Sequence, residues 1–308
     1  MRACRALALC ASIAVSAGAL SWPALAQQSQ APPPDRRPRF RTAIKLTTVN
    51  ATVTDTEGRL VHDLPRDRFE VFEDGERQSV EQFTSDRVPV SLAVLLDASD
   101  SMYGRRIADA RGAIDHFVSD LLDPADEFSL MVFNHHQELL TPWTDDRRLA
   151  ASTLAPVVPW GSTAIYDAIM AAIPLADTRH KPRAALLVVS DGADTASDTA
   201  LRDLRSALMR TDLFVYAIGI DSADRRTINA PVNSATLGQI TDQSGGRTRI
   251  VHDSTEVSQA LVQIADELNS QYLIGYSSSH PADGKYHSIR VRVTGGDYRV
   301  RARNGYVE

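Results

Sequence analysis

The chain has 308 residues, of which 43% are apolar and 23% are charged, the proportions of an ordinary folded globular protein. This composition excludes a disordered, collagen-like or coiled-coil chain, and the length leaves room for two domains. The formal net charge of −6 disfavours nucleic acid as a partner, because both molecules would then be negatively charged.

Residues 1–26 have the pattern of a secretory signal peptide. A short basic start precedes an apolar run from Ala6 to about Leu20, and Ala24-Leu25-Ala26 then supplies a small-x-small cleavage pattern. The apolar run is shorter than the roughly 20 residues that span a bilayer, which favours cleavage after Ala26 over retention as a membrane anchor. We therefore expect an exported protein, periplasmic or secreted, whose mature chain has no transmembrane segment.

Cleavage of this segment would also change the chemistry of the mature chain. Its two cysteines, Cys4 and Cys10, are the only ones in the sequence. The mature protein would then have no disulfide, no thiolate nucleophile and no cysteine ligand for a metal. Because the segment carries two arginines and no acid, its loss would shift the formal net charge from −6 to −8.

The next two segments are a linker and a β-rich flank. Residues 27–40 are polar and rich in proline, which is typical of an extended linker. Residues 41–87 have a β pattern, with short strands at Phe69–Phe72 and Val80–Phe83 separated by the turn residues Glu73-Asp74-Gly75. This flank is too short to form a domain alone.

Residues 88–270 alternate between strands and helices. Val90–Leu96 is an almost continuous apolar run, which predicts a strand covered on both faces, and Arg105–Leu122 has the apolar spacing of an amphipathic helix. The further predicted strands are Phe128–Phe133, Ala184–Val189, Leu213–Ile220 and Arg247–Val251, and the further predicted helices are Asp146–Leu154, Thr163–Ala176, Thr199–Met209, Ala235–Gln243 and Thr255–Leu268. This alternation predicts an α/β domain with a mostly parallel central sheet and helices on both faces.

Residues 271–308 return to a β pattern, with strands at Tyr272–Tyr276, Tyr286–Val293 and Tyr298–Arg303. They are again too few for a domain, but the two β flanks together are long enough for a small sandwich. We favour a β module made from both flanks, with the α/β domain inserted into it. The alternative is that each flank separately extends an edge of the central sheet.

Three polar loops carry the residues that suggest a binding site. Asp97-Ala98-Ser99-Asp100-Ser101 follows the first parallel strand, Trp160-Gly161-Ser162-Thr163 precedes a helix, and Ser190-Asp191-Gly192 follows another strand. Ligands of parallel α/β sheets bind at the carboxyl ends of the strands, where these loops can converge. They offer hydroxyl and carboxylate oxygens without histidine or sulfur, which is the ligand set of a hard cation.

The order and spacing of these loops resemble the metal-ion-dependent adhesion site of von Willebrand factor type A domains, over about residues 89–268. The flanks resemble those of bacterial secreted proteins that carry a related domain. The segments that carry this second resemblance are Phe69–Gly75, Gly161–Ala168, Tyr272–Tyr276, Asp283–His287 and Arg301–Tyr306.

The resemblance implies a Rossmann-like three-layer fold with a divalent cation at the three loops. The hydroxyls of Ser99, Ser101 and Thr163 would bind the cation, while Asp97 and Asp191 would act partly through water or by holding the hydroxyls, with Asp191 able to move between direct and indirect ligation. Mg²⁺ is the expected ion, and Mn²⁺ or Ca²⁺ are alternatives. An open coordination position would accept a carboxylate from a protein or other partner. The expected function is adhesion or assembly in the cell envelope or outside the cell, and not catalysis.

The sequence leaves two alternative functions. A metal-dependent hydrolase or phosphatase could use Asp97 as its nucleophile, but Ser99 stands where phosphatases of the haloacid dehalogenase type have a second aspartate. The sequence also lacks Gly-x-Ser-x-Gly and the glycine-rich phosphate loops. The other alternative is an envelope scaffold that the metal only stabilises.

No histidine belongs to the predicted metal site. His135 and His136 follow a strand, and adjacent residues of a strand point to opposite faces, so we do not expect them to share a metal ion. His287, in the C-terminal β segment, is expected to have a structural role.

Overall fold

The computed structural model describes residues 46–191, 194–221, 234–280 and 283–307. The predicted signal peptide (1–26) and linker (27–40) lie outside the described residues, as does Gly192 of the third polar loop. None of the described helices combines the length and the apolar character needed to cross a membrane.

The elements follow the predicted order of a β flank, an α/β region and a second β flank. The first flank contains β1 (Leu46–Thr54), β2 (Phe69–Glu73), β3 (Glu76–Gln78) and β4 (Val80–Thr84). The α/β region contains β5 (Val90–Asp97), α1 (Arg105–His116), β6 (Glu127–Phe133), β7 (Gln137–Thr144), α2 (Leu149–Leu154), α3 (Ile165–Asp177), β8 (Arg183–Ser190), α4 (Leu201–Leu208), β9 (Phe214–Ile220), α5 (Ser234–Ser244), β10 (Thr248–Val251) and α6 (Ser254–Asn269). The second flank contains β11 (Tyr272–Ser277), β12 (Tyr286–Val293), β13 (Arg299–Ala302) and β14 (Gly305–Val307).

The central sheet has six described strands in the spatial order β10-β9-β8-β5-β6-β7. All neighbouring pairs are parallel except β6 and β7. Successive residues of β5 face opposite sides of the sheet, so Leu92 and Val94 pack in one core with α1 and α6, whereas Ala93 and Leu95 pack in a second core with α3, α4 and α5. Both faces of β5 are therefore covered, which explains its continuous apolar sequence and confirms the predicted α/β class.

The edge strand β7 was not predicted from the sequence. It carries Pro142 and is mostly exposed or half-buried, so its sequence lacks the apolar pattern of the inner strands. Proline is tolerated at a sheet edge because its missing N–H need not pair with another strand. The helix predicted from Thr163 begins at Ile165, which leaves Thr163 in the preceding loop.

The two flanks together form two four-stranded antiparallel sheets, in the orders β13-β1-β11-β4 and β14-β12-β2-β3. β1 pairs with β11, and β2 pairs with β12, so each sheet combines strands from both ends of the chain. One apolar core fills the space between the sheets and includes Val49, Val71, Ile274 and Ile289. Within the described residues, no flank strand extends the central sheet.

A buried polar junction connects the α/β region to these sheets. Arg183, the first residue of β8, donates hydrogen bonds to two backbone carbonyls and to the side-chain oxygen of Gln271. The amide nitrogen of Gln271 lies 3.3 Å from the hydroxyl of Thr52 on β1 and 3.2 Å from that of Tyr216 on β9. The junction lies at the amino end of β8, roughly 23 Å along the strand from its carboxyl end.

We predict that Arg183→Met lowers the free energy of unfolding by roughly 3 kcal/mol, because Gln271 and two carbonyls lose a buried donor. Urea unfolding followed by circular dichroism measures the change. Arg202→Met is the matched control, since the Arg202 side chain is 87% exposed. A loss no larger than that of the control would show that the junction does not stabilise the fold.

Candidate metal-ion site

The three polar loops are brought to one edge of the central sheet by the order of its strands. β5 and β8 are parallel neighbours, with Leu96 opposite Val189, but the chain continues from β5 to β6 on the other side. Loops therefore diverge from the carboxyl ends of β5 and β8 and leave a crevice between them, as in other open α/β sheets. Asp97 ends β5 on one side of this crevice, and Asp191 directly follows β8 on the other.

Asp97 is fully buried and connects two of the loops. Its Oδ1 accepts a hydrogen bond of 2.8 Å from the backbone N–H of Ser99, and its Oδ2 accepts one of 2.5 Å from the hydroxyl of Ser190. Burial raises the pKa of Asp97 to about 7, although these hydrogen bonds favour the charged form. A cation next to the carboxylate would offset this loss of hydration.

Ser99, Ser101 and Asp191 form a continuous series of oxygen atoms. The hydroxyls of Ser99 and Ser101 lie 3.0 Å apart, and the Ser101 hydroxyl donates a 2.5 Å hydrogen bond to Oδ1 of Asp191. A 3₁₀ turn at Asp100–Met102 positions the two serines, and the Met102 side chain anchors this turn in the core. The structure thus brings together four of the five residues predicted for the metal site.

Thr163 joins this group through its loop. The N–H of Asp100 donates to the carbonyl of Gly161 at 2.9 Å, which connects the first and second polar loops. On the other side, the N–H of Thr195 donates to the carbonyl of Thr163 at 2.8 Å, and the N–H of Thr163 donates to the hydroxyl of Thr195 at 3.1 Å. Thr163 is buried, and the hydrogen bonds among described residues connect its main chain, not its hydroxyl, to the other loops.

Arg106 is a member of the site that was not predicted from the sequence. Its guanidinium forms an ion pair with Oδ2 of Asp191 and donates a 3.0 Å hydrogen bond to the carbonyl of Ser101. Burial raises the pKa of Asp191, whereas Ser101 and Arg106 oppose that rise. Arg105 and Arg106 are adjacent at the start of α1, and only the structure shows that Arg106 is buried while Arg105 is exposed.

The surface beside the polar loops is aromatic. His135 and His136 lie in the bend between β6 and β7 with their ring centroids 4.2 Å apart, and Trp160 meets His135 edge-on at 4.6 Å. Their rings can meet because the alternation of side chains does not extend beyond the strand; the expectation that they do not share a metal ion stays a prediction. A cavity of about 430 Å³, lined by Ala98 and Trp160 among others, opens here, and Trp160 is 53% exposed.

The donor set fits a hard divalent cation. Hydroxyl and carboxylate oxygens from the first and third polar loops lie at one crevice, and such oxygens are the ligands that Mg²⁺ prefers. The residues that would hold the ion are Asp97, Ser99, Ser101, Thr163 and Asp191. The guanidinium of Arg106 already neutralises one of the two carboxylates, so a cation that binds directly to Asp191 must compete with it.

Comparison with known proteins gives matches in sequence and in fold. Residues 92–193 match the family model described as von Willebrand factor type A domain. The human inter-alpha-trypsin inhibitor heavy chain H4 is 24% identical over 213 residues, which are 64% of this chain and 22% of the human protein. The bovine protein of the same name is 23% identical with the same coverage. The chain therefore spans about a fifth of the length of these curated relatives.

Solved structures share the fold. The von Willebrand factor type A protein from Catenulispora acidiphila has a TM-score of 0.52 at 12% identity, over 87% of this chain and 74% of that one. The conserved hypothetical protein BatB from Bacteroides thetaiotaomicron has a TM-score of 0.50 at 22% identity, over 58% of this chain and 98% of that one. The described chain thus shares the fold of these solved structures, and its residues 92–193 match the von Willebrand factor type A family model.

Proposed function

We propose that this protein binds a divalent cation, with Mg²⁺ favoured, at Asp97, Ser99, Ser101, Thr163 and Asp191, and that the cation recognises a carboxylate on a protein or other partner. The observation that carries the proposal is the hydrogen-bonded series from Ser99 through Ser101 to Asp191 at the crevice between β5 and β8. Mn²⁺ and Ca²⁺ are alternative ions.

The charges around the crevice support recognition of an anion. Asp97, Asp191 and Arg106 together carry one net negative charge when both carboxylates are ionised. A divalent cation would reverse this to one net positive charge in a region that is largely buried. A carboxylate from a partner, placed at an open coordination position of the cation, neutralises that charge.

The position of Asp97 favours binding over hydrolysis. A carboxylate nucleophile needs an oxygen that can reach the substrate, whereas both oxygens of Asp97 accept hydrogen bonds and the side chain is fully buried. Asp97 is therefore better suited to holding the first and third polar loops together than to attacking a phosphate or an ester.

We further propose that this function operates in the cell envelope or outside the cell. This part of the proposal rests on the signal-peptide pattern of residues 1–26 and the proline-rich residues 27–40. The domain limits proposed with it are 41–87 and 271–308 for the β module and 88–270 for the α/β domain.

We predict that Ser99→Ala and Ser101→Ala each weaken Mg²⁺ binding by about ten-fold or more, equivalent to ~1.4 kcal/mol, because each removes a neutral ligand. Isothermal titration calorimetry on the whole chain measures the affinity. Ser152→Ala is the matched control, since the Ser152 hydroxyl is exposed and bonds only within its own helix among the described contacts. Equal Mg²⁺ affinity in all three variants would contradict the proposed ligands.

Binding of short peptides to the whole chain tests the role of the partner carboxylate. A short peptide with one central Asp or Glu should bind in Mg²⁺ and dissociate in chelator, whereas the matched Asn or Gln peptide should not bind. Equal binding of both peptides would argue against recognition through a carboxylate. Metal-dependent hydrolysis of p-nitrophenyl phosphate that is lost in Asp97→Ala would replace the binding proposal by the phosphatase alternative.

A separate prediction concerns the arginine at the site. Arg106→Gln should tighten Mg²⁺ binding by about three- to ten-fold, because it removes a positive charge beside Asp191 and keeps a hydrogen-bond donor. The control is Arg105→Gln, which removes the same charge from the exposed neighbouring position. Calorimetry with Mg²⁺ compares the two variants, and tighter binding in both or in neither would contradict a specific role for Arg106.

A further inference from the structure

We propose that the β module contains a second metal site of different chemistry, in which Glu73, His280 and His287 bind a transition-metal ion, with Zn²⁺ favoured. One possible ligand atom from each residue lies within 4.8 Å of the other two. The site uses none of the residues assigned to the Mg²⁺ site, and it does not depend on the proposed function.

The fold brings these three residues together from both ends of the chain. Glu73 is the last residue of β2, and His287 lies on β12, the antiparallel partner of β2. His280 follows β11, which belongs to the other sheet of the module. A shared ion would therefore connect the two sheets as well as the two flanks.

Glu73 provides the strongest evidence that a cation binds here. Its side chain is completely buried, and its Oε1 accepts hydrogen bonds from the hydroxyls of Tyr306 at 2.6 Å and Ser278 at 3.0 Å. Its Oε2 has no hydrogen-bond partner among the described residues. A buried carboxylate oxygen without a partner loses its hydration with no compensation, and a metal ion would supply that compensation.

His280 presents a matching nitrogen to this oxygen. Its Nδ1 lies 3.7 Å from Oε2 of Glu73 and is likewise buried without a hydrogen-bond partner in the described part of the chain. This separation is too long for a hydrogen bond. It is close to the roughly 3.3 Å between two ligands of a tetrahedral zinc ion with bonds of about 2.0–2.1 Å.

The surroundings of His287 resemble those of a metal-bound histidine. Its Nδ1 lies 2.8 Å from Oδ2 of Asp74, and its Nε2 lies 3.3 Å from Oδ1 of Asp283. A histidine that binds a metal usually donates its other ring N–H to a carboxylate, which fixes the ring. Asp74 is placed for this role, and Asp283 or water could complete a four-coordinate site.

The donor types indicate which ion would bind. Imidazole nitrogens with one carboxylate favour Zn²⁺ and similar transition metals, whereas the hydroxyl-rich site of the α/β domain favours Mg²⁺. Binding requires the donor atoms to close by at most about 1.5 Å from their present separations. His280 lies in the loop after β11, where its backbone is not held in a strand. An ion that binds only the folded module would stabilise it.

The alternative is that side-chain cations alone balance Glu73. A protonated His280 could form an ion pair at the observed 3.7 Å. Arg303 is also nearby, with its guanidinium carbon 5.1 Å from the centroid of the Tyr306 ring. The experiment must therefore separate metal binding from an ion pair.

Titration of the whole chain with Co²⁺, in the presence of saturating Mg²⁺, provides the test. We expect one equivalent to give visible d–d absorption typical of four-coordinate Co²⁺ with nitrogen ligands, and Zn²⁺ to displace it and raise the melting temperature. His280→Gln should weaken Co²⁺ binding by about 100-fold. His116→Gln, at a histidine 52% exposed in its side chain, should leave the absorption unchanged.

Three results would overturn the proposal. One is the absence of a saturable Co²⁺ spectrum in the wild-type chain. Another is a spectrum that His280→Gln leaves unchanged. The last is an altered pH dependence of stability in His280→Gln without any Co²⁺ or Zn²⁺ binding, which would assign the cluster to an ion pair. Because His280 is in a loop, this variant avoids the folding defect that a change at buried Glu73 could cause.

Discussion

The buried carboxylate of Asp97 is the interaction on which the site depends. One of its oxygens holds the loop after β5 through the N–H of Ser99, and the other holds the end of β8 through the hydroxyl of Ser190. These loops leave neighbouring strands in different directions, so nothing in the sheet ladder itself joins them. Asp97 makes that connection in a fully buried position, and this burial raises its pKa.

The two ends of the central sheet have different roles. At the amino end of β8, Arg183 and Gln271 connect the α/β region to the β module through buried hydrogen bonds. At the carboxyl end lie the oxygen-rich loops, whose side-chain hydrogen bonds to one another, among the described residues, involve no strand of the β module. Within the proposed function, this arrangement leaves the cation accessible to a partner. In the same proposal, Arg106 would limit the contribution of Asp191 to the cation, because the two side chains already form an ion pair.

The fold could be predicted where one local pattern determined the structure. β5 and β8 were recognised because strands covered on both faces have continuous apolar sequences. The edge strand β7 was missed because its exposed positions and Pro142 leave no such pattern. Domain limits and the ligand roles of the five site residues stay predictions.

The two candidate sites differ in how far sequence could reveal them. Asp97, Ser99 and Ser101 lie within five residues, so their spacing already predicts a shared loop. Glu73 and His287 come together only because β2 pairs with β12, a contact between opposite ends of the chain that local patterns do not contain. The pairing of β2 with β12, and not a local sequence pattern, therefore brings these candidate ligands of the β module together.

The central claim is that hydroxyls from separate loops bind one cation at the crevice between β5 and β8. Anomalous diffraction from crystals of the protein grown with Mn²⁺, as a substitute for Mg²⁺, tests it most directly. We predict one peak in the crevice within about 2.3 Å of the hydroxyls of Ser99, Ser101 and Thr163. A crevice with no Mn²⁺ peak at saturating ion, with Arg106 still paired to Asp191, would contradict the claim.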